Sequence, residues 1–127
     1  MSQILIVEPG EYAVCQLDAD EPLPSWLPTA PFWTVTRAAD ELSVVCSAEA
    51  VPPYSSHESG WRLLRMAGPF PFDLTGILES VLASLAAADV GILAISTFNT
   101  DYVLVKHARL AVAVAALRTA GHVVREP

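Results

Sequence analysis

The sequence predicts a mixed α+β fold of two related units in tandem, and three observations support this prediction. The chain has 127 residues, of which 53% are hydrophobic and 17% are charged, a composition typical of a folded domain. Short β-branched or aromatic runs bounded by turn residues fill the first half, whereas the two clearest helical periodicities follow residue 72. Most of the 10 prolines precede residue 72. The first unit is therefore expected to contain less helix than the second.

Three strands are predicted in the first half, at Tyr12–Leu17, residues 33–37 and residues 42–46. Between the first two, the prolines of residues 21–28 leave room for a helical turn at most. Residues 51–60 form a polar, proline-containing connector, which is the best candidate for a domain boundary. We therefore expect an N-terminal unit at residues 1–59 and a second unit at residues 60–127.

The second half has the clearer pattern. Its predicted elements, in chain order, are a strand at residues 61–66, a helix capped by Asp73, a hairpin of strands at Ile92–Ser96 and residues 102–106, a helix ending near Gly121 and a strand at residues 122–125. Apolar residues of the first helix recur about every 3.6 positions: Leu74, Ile77, Leu78, Val81, Leu82 and Leu85. One face of the second helix carries Leu110, Ala113, Val114 and Leu117.

This order of elements is the βαββαβ unit of ferredoxin-like folds. The first half matches the same unit with a reduced first helix, and with the connector in place of the second helix. The predicted fold class is therefore α+β, with two ferredoxin-like (βαββαβ) units in tandem and reduced helices in the first, degenerate unit.

Charge and apolar patterning limit the classes of partner. The chain carries 7 basic and 14 acidic side chains, a formal net charge of −7, so its surface should repel phosphate backbones and anionic lipid headgroups. We expect neither nucleic acid nor membranes as partners. The N-terminal residues lack the basic start and the length of a signal peptide, and charged and serine residues interrupt the most apolar later stretch, at residues 77–96. We expect a cytoplasmic protein, with Cys15 and Cys46 as reduced, buried strand residues.

The usual signatures of enzymes and metal sites are missing. No G-x-S-x-G, Walker, H-E-x-x-H or C-x-x-C motif is present. The three histidines, His57, His107 and His122, are too scattered to converge on a metal and are predicted to be surface residues. We therefore expect no catalytic residues, no metal and no cofactor.

Two polar segments are the candidates for a binding site. Residues 68–76 form a proline-stiffened loop that enters a helix, whose first N–H groups can receive an anion such as an α-carboxylate. Residues 96–101 place hydroxyls, an amide and a carboxylate beside an aromatic ring, between two apolar strands. In a βαββαβ unit both segments can reach one rim of the sheet, with Asp101 available for an ammonium group. The alternative for residues 68–76 is a loop that only turns the chain.

Several motifs of this chain resemble a known family. They are Glu41-Leu-Ser-Val-Val-Cys46, Gly60-Trp-Arg62, Gly68-Pro-Phe, Phe72-Asp-Leu-Thr-Gly-Ile-Leu78 and Ser96-Thr-Phe-Asn-Thr-Asp-Tyr-Val-Leu-Val105. With these motifs the sequence resembles small bacterial ACT-domain proteins related to the animal cytosolic arginine sensors. The resemblance covers nearly the whole chain. It implies a non-catalytic tandem ACT protein that binds an amino acid at an interface between ACT units.

The resemblance also implies the site residues. In the arginine sensors the ligand is held by the loop and helix start that correspond to Gly76 and Ile77, and by the turn residues that correspond to Thr97, Phe98 and Asp101. Together with Asp73, the predicted helix cap, these form the predicted ligand-binding set. The chain differs from the sensors at Leu74, where they carry an acidic side chain. It also has one tandem pair where they have two, so a complete site is expected to need a second copy of the chain.

The predicted function is that of a regulatory, amino-acid-binding ACT protein in the cytoplasm that acts as a homodimer, with an unnamed protein as a further partner. One alternative is a structural ACT-like dimerisation module without a ligand. Another is a small enzyme that uses Cys46 or Asp101, although no base and nucleophile pair stands at a plausible spacing.

Overall fold

The computed structural model describes residues 2–27 and 31–127, which form two compact units. The helical unit contains Met1–Pro9 and Arg62–Pro127, and the small unit contains Gly10–Trp61. These bounds differ from the predicted division between residues 59 and 60. The first nine residues group with the helical unit because they contain strand β1 (Ile4–Val7), which pairs with strands of that unit.

The small unit is a sheet of four antiparallel strands. Its members are β2 (Tyr12–Leu17), β3 (Thr34–Arg37), β4 (Leu42–Ser47) and the first part of β5 (Ser56–Met66), in the spatial order β3-β4-β2-β5. This is the strand order of a ferredoxin-like unit. Its core contains Ala13, Cys15, Val44, Cys46 and Val51.

The small unit contains little helix, as predicted. Its described residues, 10–27 and 31–61, form a 3₁₀ turn at Ala48–Ala50 and a turn at Ser25 and Trp26, and no α-helix. This single turn agrees with the prediction of a helical turn at most at residues 21–28, of which Pro28 lies outside the described residues. The degenerate first unit is confirmed at the level of fold.

Strand β5 corrects the predicted connector. It begins at Ser56, so residues expected in a loop pair with β2: Ser56 with Gln16, His57 with Cys15 and Glu58 with Val14. The register then shifts, and Trp61 pairs with Tyr12. Gly60, with φ 86°, accommodates this irregularity because glycine adopts positive φ without a steric penalty.

The helical unit holds the remaining elements. They are β1, the second part of β5, α1 (Ile77–Ala87), β6 (Ile92–Ser96), β7 (Asp101–Lys106), α2 (Leu110–Thr119) and β8 (Val123–Arg125). The strand order is β6-β7-β5-β1-β8, with β1 antiparallel to β5 and parallel to β8. In the predicted βαββαβ unit, β5 and β8 would be neighbours. Strand β1, which was not predicted, lies between them.

Both helices of the helical unit pack on its sheet. Val81 and Leu85 of α1, and Ala113 and Leu117 of α2, are buried in one cluster with residues of the strands: Leu5, Val7, Leu64, Met66, Val103, Val105 and Val124. Fully burying one such side chain contributes roughly 1.5–3 kcal/mol to stability. This packing holds α1 against the sheet.

The predicted start of α1 is wrong. The helix begins at Ile77, and the preceding residue is Gly76, whose φ of 80° is not helical. Asp73 and Leu74 instead belong to a turn in which the Leu74 N–H donates to the carbonyl of Pro71 at 3.2 Å. Asp73 therefore does not cap the helix.

Both cysteines are buried and free, on β2 and β4 of the small unit. Burial, with a smaller contribution from nearby Cys15, raises the pKa of the Cys46 thiol from 9.0 to about 11. The low reactivity of the two cysteine thiols stays a prediction. No helix in the described part of the chain is long and apolar enough to cross a membrane.

Candidate functional site

A cavity of about 380 Å³ lies in the helical unit, beside the start of α1 and the turn between β6 and β7. Five of the six residues predicted to bind a ligand line it: Gly76, Ile77, Thr97, Phe98 and Asp101. Asp73 is not among the lining residues, although its neighbours Phe72 and Leu74 are. The two candidate segments therefore meet at one cavity.

The loop after β5 is attached to the β6–β7 turn by its backbone. The Phe70 N–H donates to the carbonyl of Asn99 at 2.9 Å. A Cβ atom on Gly68 would lie 2.8 Å from the same carbonyl oxygen and 3.1 Å from Cβ of Thr100. The close approach of the two segments thus requires glycine at position 68.

The β6–β7 turn is held by a set of short hydrogen bonds. The Thr97 N–H donates to the carbonyl of Thr100 at 2.8 Å, and the Thr97 hydroxyl donates to the same oxygen at 3.1 Å. The buried Thr100 hydroxyl donates to the carbonyl of Met66, at the end of β5, at 2.6 Å. These bonds hold the turn, and with it the backbone of Phe98, in place relative to the sheet.

Asp101 is the first residue of β7 and pairs with Ser96, the last residue of β6. The Ser96 hydroxyl donates to Oδ1 of Asp101 at 2.5 Å. Asp101 is half-buried and lines the cavity. The hydroxyl orients one carboxylate oxygen, and a carboxylate in this position can accept charge-assisted hydrogen bonds from a cation.

The first turn of α1 supplies the opposite kind of group. The first N–H groups of an α-helix have no partner within the helix, and here they belong to Ile77, Leu78 and Glu79, which all line the cavity. The carbonyl of Gly76 accepts from the Ser80 N–H at 3.1 Å, which starts the helical ladder. The helix dipole adds positive potential at this end. An anion is therefore favoured here.

His122 connects this first turn to the sheet. Its Nδ1 accepts from the Gln3 N–H at 2.9 Å, and its Nε2 lies 3.1 Å from the carbonyl of Ser80. Since an N–H can only donate and a carbonyl can only accept, the ring is the neutral tautomer with its proton on Nε2. The prediction of a surface histidine is wrong for His122, which is 5% exposed, whereas His57 and His107 are exposed.

Apolar side chains that were not predicted form a further part of the wall, which also includes Glu79, Ser96, Asn99 and Thr100. These apolar side chains include Phe70, Pro71, Phe72, Leu74 and Leu78. The ring of Phe72 meets that of Phe98 edge to face, with centroids 5.0 Å apart and planes at 86°. The aromatic residues of the proline-stiffened loop are visible in the sequence and could have predicted this part of the wall.

Known proteins resemble the chain over different lengths. The cytosolic arginine sensor for mTORC1, subunit 1, of Rattus norvegicus is 37% identical over 83 residues, which are 59% of this chain and 25% of the sensor. The Homo sapiens protein of the same name is 37% identical over 82 residues, with 58% of this chain and 25% of the sensor covered. The chain thus spans about a quarter of the length of these relatives.

Solved structures resemble the whole chain. A protein of Agobacterium tumefaciens, solved by X-ray crystallography, has a TM-score of 0.95 and 35% sequence identity, and covers 100% of this chain and 95% of its own. The regulatory subunit of aspartate kinase from Thermus thermophilus has a TM-score of 0.65 at 9% identity, with 92% of this chain and 97% of the subunit covered. At that identity the likeness concerns the fold alone.

Two family models match the chain in succession. One describes an N-terminal domain and matches residues 10–54. The other is the ACT domain, which matches residues 56–119, about half of the chain. Because this match includes α1, β6 and β7 and therefore the cavity, it agrees with the geometry described above. The chain belongs to the ACT-domain family.

Proposed function

We propose that the protein is a non-catalytic regulatory protein that binds a free amino acid in the cavity between α1 and the β6–β7 turn. One observation carries this proposal: the N-terminus of α1 and the carboxylate of Asp101 line the same cavity. A zwitterion has one group for each of them. The cavity volume of about 380 Å³ is within the range of small-molecule sites.

Each end of the ligand has a partner in this proposal. The α-carboxylate accepts from the N–H groups of Ile77 and Leu78, where the helix dipole favours negative charge. The α-ammonium donates to Asp101, whose orientation is set by Ser96. Gly76 and Thr97 shape the backbone around these groups, and Phe98 provides apolar contact.

The relatives support a regulatory role. Two of them are named as cytosolic arginine sensors. In our proposal this chain likewise acts in the cytoplasm and regulates a protein partner, without catalysis. The small unit then serves as a degenerate ACT-like unit without a ligand of its own.

We further propose that the active form is a homodimer. Phe72, Leu74 and Phe98 are apolar, line the cavity and remain exposed. A second copy that covers them would complete the site at an interface between ACT units and remove apolar surface from water. Light scattering at micromolar concentrations tests the dimer, and a monomer at all concentrations would contradict it.

A thermal-shift screen against the twenty amino acids tests binding. A ligand that binds only the folded protein, at 100 times its dissociation constant, adds about 2.7 kcal/mol to the free energy of unfolding. The amide and the N-acetyl derivative of the best amino acid are matched controls, because each removes one of the two charges. We expect both derivatives to lose the shift. If none of the twenty stabilises a protein that is dimeric, the structural dimerisation module is the better interpretation.

A further inference from the structure

We propose that Phe72 and Phe98 form an aromatic clamp that selects amino acids with an apolar side chain of four or more heavy atoms. This inference rests on the proposed function, because it concerns the side chain of the ligand bound there. Phe72 was not among the residues expected to bind. The clamp would recognise the side chain of the ligand, whereas the other groups of the site recognise its α-carboxylate and α-ammonium.

The exposure of the two rings is the first argument. Both line the cavity, yet Phe72 is 77% exposed and Phe98 is 79% exposed, and the rings contact each other only edge to face. Large apolar side chains normally lie out of water. A ligand side chain would cover the parts of both rings that line the cavity and gain contact area on both, and the second copy proposed above would cover their outer parts.

The two rings differ in how they are held. Phe98 lies in the turn fixed by the bonds between Thr97 and Thr100. Phe72 lies in a loop attached by Phe70 at one end and by α1 at the other, with the turn bond from Leu74 to Pro71 between them. The backbone at Phe98 is thus held by bonds of its own turn, and the backbone at Phe72 by bonds on either side of it in the loop.

The charges of the cavity are the second argument. Once the α-carboxylate is at α1 and the α-ammonium at Asp101, Glu79 is the remaining charged residue among the described residues that line the cavity. Its carboxylate lies in the first turn of α1, where the helix dipole stabilises it without a ligand cation. No lysine, arginine or histidine is among these lining residues, so an acidic side chain would meet carboxylates without a counter-charge.

An apolar side chain needs no counter-charge and meets the apolar part of the wall. Besides the clamp, this wall contains Phe70, Pro71 and Leu74. Each added methylene that leaves water raises affinity roughly fourfold. Leucine has three more carbons than alanine, so even partial burial predicts at least tenfold tighter binding of leucine.

Calorimetry with a short ligand series tests the clamp. The probes are L-alanine, L-leucine, L-phenylalanine, L-lysine, L-arginine and L-glutamate, measured on the wild-type protein and on Phe72→Ala. We expect leucine and phenylalanine to bind wild type at least tenfold more tightly than alanine does. In Phe72→Ala this ratio should fall by fivefold or more, while the affinity for alanine changes by less than twofold.

Control variants keep the result interpretable. Tyr54→Ala removes an aromatic ring that is 89% exposed and outside the cavity lining, and it should leave every affinity unchanged. Phe98→Leu removes the second ring but keeps an apolar side chain in the turn, so that the variant still folds. It should lower the affinity for phenylalanine more than the affinity for alanine.

Two results would overturn the clamp while leaving amino-acid binding intact. One is an alanine-to-leucine ratio that Phe72→Ala does not change. The other is tightest binding of lysine, arginine or glutamate. Failure of every amino acid to bind wild type would instead overturn the proposed function, and the clamp with it.

Discussion

The two units place the same turn in different chemical surroundings. In the helical unit, the Thr97 N–H donates to the carbonyl of Thr100 at 2.8 Å, and in the small unit the Ala38 N–H donates to the carbonyl of Glu41 at the same distance. Each turn connects the second and third strands of a ferredoxin-like order. The backbone of the hairpin is therefore common to both units, and it does not explain why the candidate site lies in one of them.

The side chains beside the two turns explain the difference. In the helical unit the strand pair next to the turn is Ser96 and Asp101, and a cavity lies there. The corresponding pair in the small unit is Arg37 and Leu42. The guanidinium of Arg37 donates to the carbonyls of Ala19 at 2.5 Å and Glu21 at 2.7 Å, which belong to the segment after β2.

The comparison shows what a binding site on this fold requires. In the small unit, the guanidinium of Arg37 joins the turn to the segment after β2. In the helical unit, the corresponding position presents a carboxylate and lies near the first N–H groups of α1. The small unit has no α-helix among residues 10–27 and 31–61 to provide such groups. The helical unit therefore differs from the small unit in the side chains at the strand ends and in having the start of a helix, and these two features make it the candidate binding unit.

The largest expected effect concerns Asp101→Asn, which keeps the shape of the side chain and removes its charge. Loss of one partner of a partly buried charge pair should weaken binding of the amino acid found in the screen by about 2–5 kcal/mol. Calorimetry measures this loss. Asp40→Asn, in the turn of the small unit, is the matched control and should leave affinity unchanged.

A contrary result for Asp101→Asn is well defined. If Asp101 serves only the hairpin, through its bond with Ser96, the variant should lose roughly 0.5–2 kcal/mol of folding stability and keep its affinity. Unchanged affinity would remove Asp101 from the site.

His122→Ala tests whether the helix start depends on its link to the sheet. The variant leaves the Gln3 N–H and the Ser80 carbonyl without their partner and opens space in the core, so we expect a loss of about 2–4 kcal/mol in the free energy of unfolding. Urea denaturation measures it. His57→Ala, at an exposed position of the small unit, should cost less than about 0.5 kcal/mol. Equal effects of the two variants would contradict the structural role of His122.

Gly68→Ala tests the close approach of loop and turn. The added Cβ would lie 2.8 Å from the Asn99 carbonyl oxygen, so one segment must shift, at a cost of about 1–3 kcal/mol in stability. We also expect weaker ligand binding, because the same shift moves the cavity wall. Gly91→Ala is the matched control, since its Cβ would meet no atom within 4 Å. Denaturation midpoints of the two variants that agree would contradict this account.

The smallest effect is expected for Arg37→Ala, which removes the guanidinium that joins the turn of the small unit to the segment after β2. Because Arg37 is exposed, losing its two carbonyl contacts should cost about 1 kcal/mol of stability. Arg125→Ala, at an exposed position of β8, serves as the control. The number of amino acids bound per chain should not increase, since the small unit offers no helix start. A second binding event in calorimetry would break the distinction between the units.

Sequence periodicity predicted most strands and both helices, and its failures have physical causes. Residues 56–59 are polar and exposed, so they show no alternation, and only their pairing with β2 makes them a strand. The run from Ile4 to Val7 has the apolar composition of a buried strand, but its partners lie far away in sequence. Pairing over such distances is not visible in a local pattern.

Only part of the candidate site was predicted, because some of its contacts also join residues that are distant in sequence. The pattern of residues singled out the two segments and Asp101, whereas Gly76, Ile77, Thr97 and Phe98 came from the resemblance to the arginine sensors. Asp73 was misplaced because an acidic residue before an apolar run is a common cap, while here the chain turns at Pro71 and the helix follows Gly76. The buried role of His122 depends on Gln3, which lies at the other end of the chain, so no local signal reveals it.

The pairing of β1 with β8 has a consequence for the order of events during synthesis. Ile4 pairs with Val123, and the Ser2 hydroxyl donates to the carbonyl of Gly121 at 2.8 Å. The ribosome makes β1 before β8, and one edge of β1 stays unpaired until β8 emerges. The small unit, Gly10–Trp61, is complete well before that point. We therefore expect the small unit to fold first during translation, while the helical unit forms only after β8 has been made.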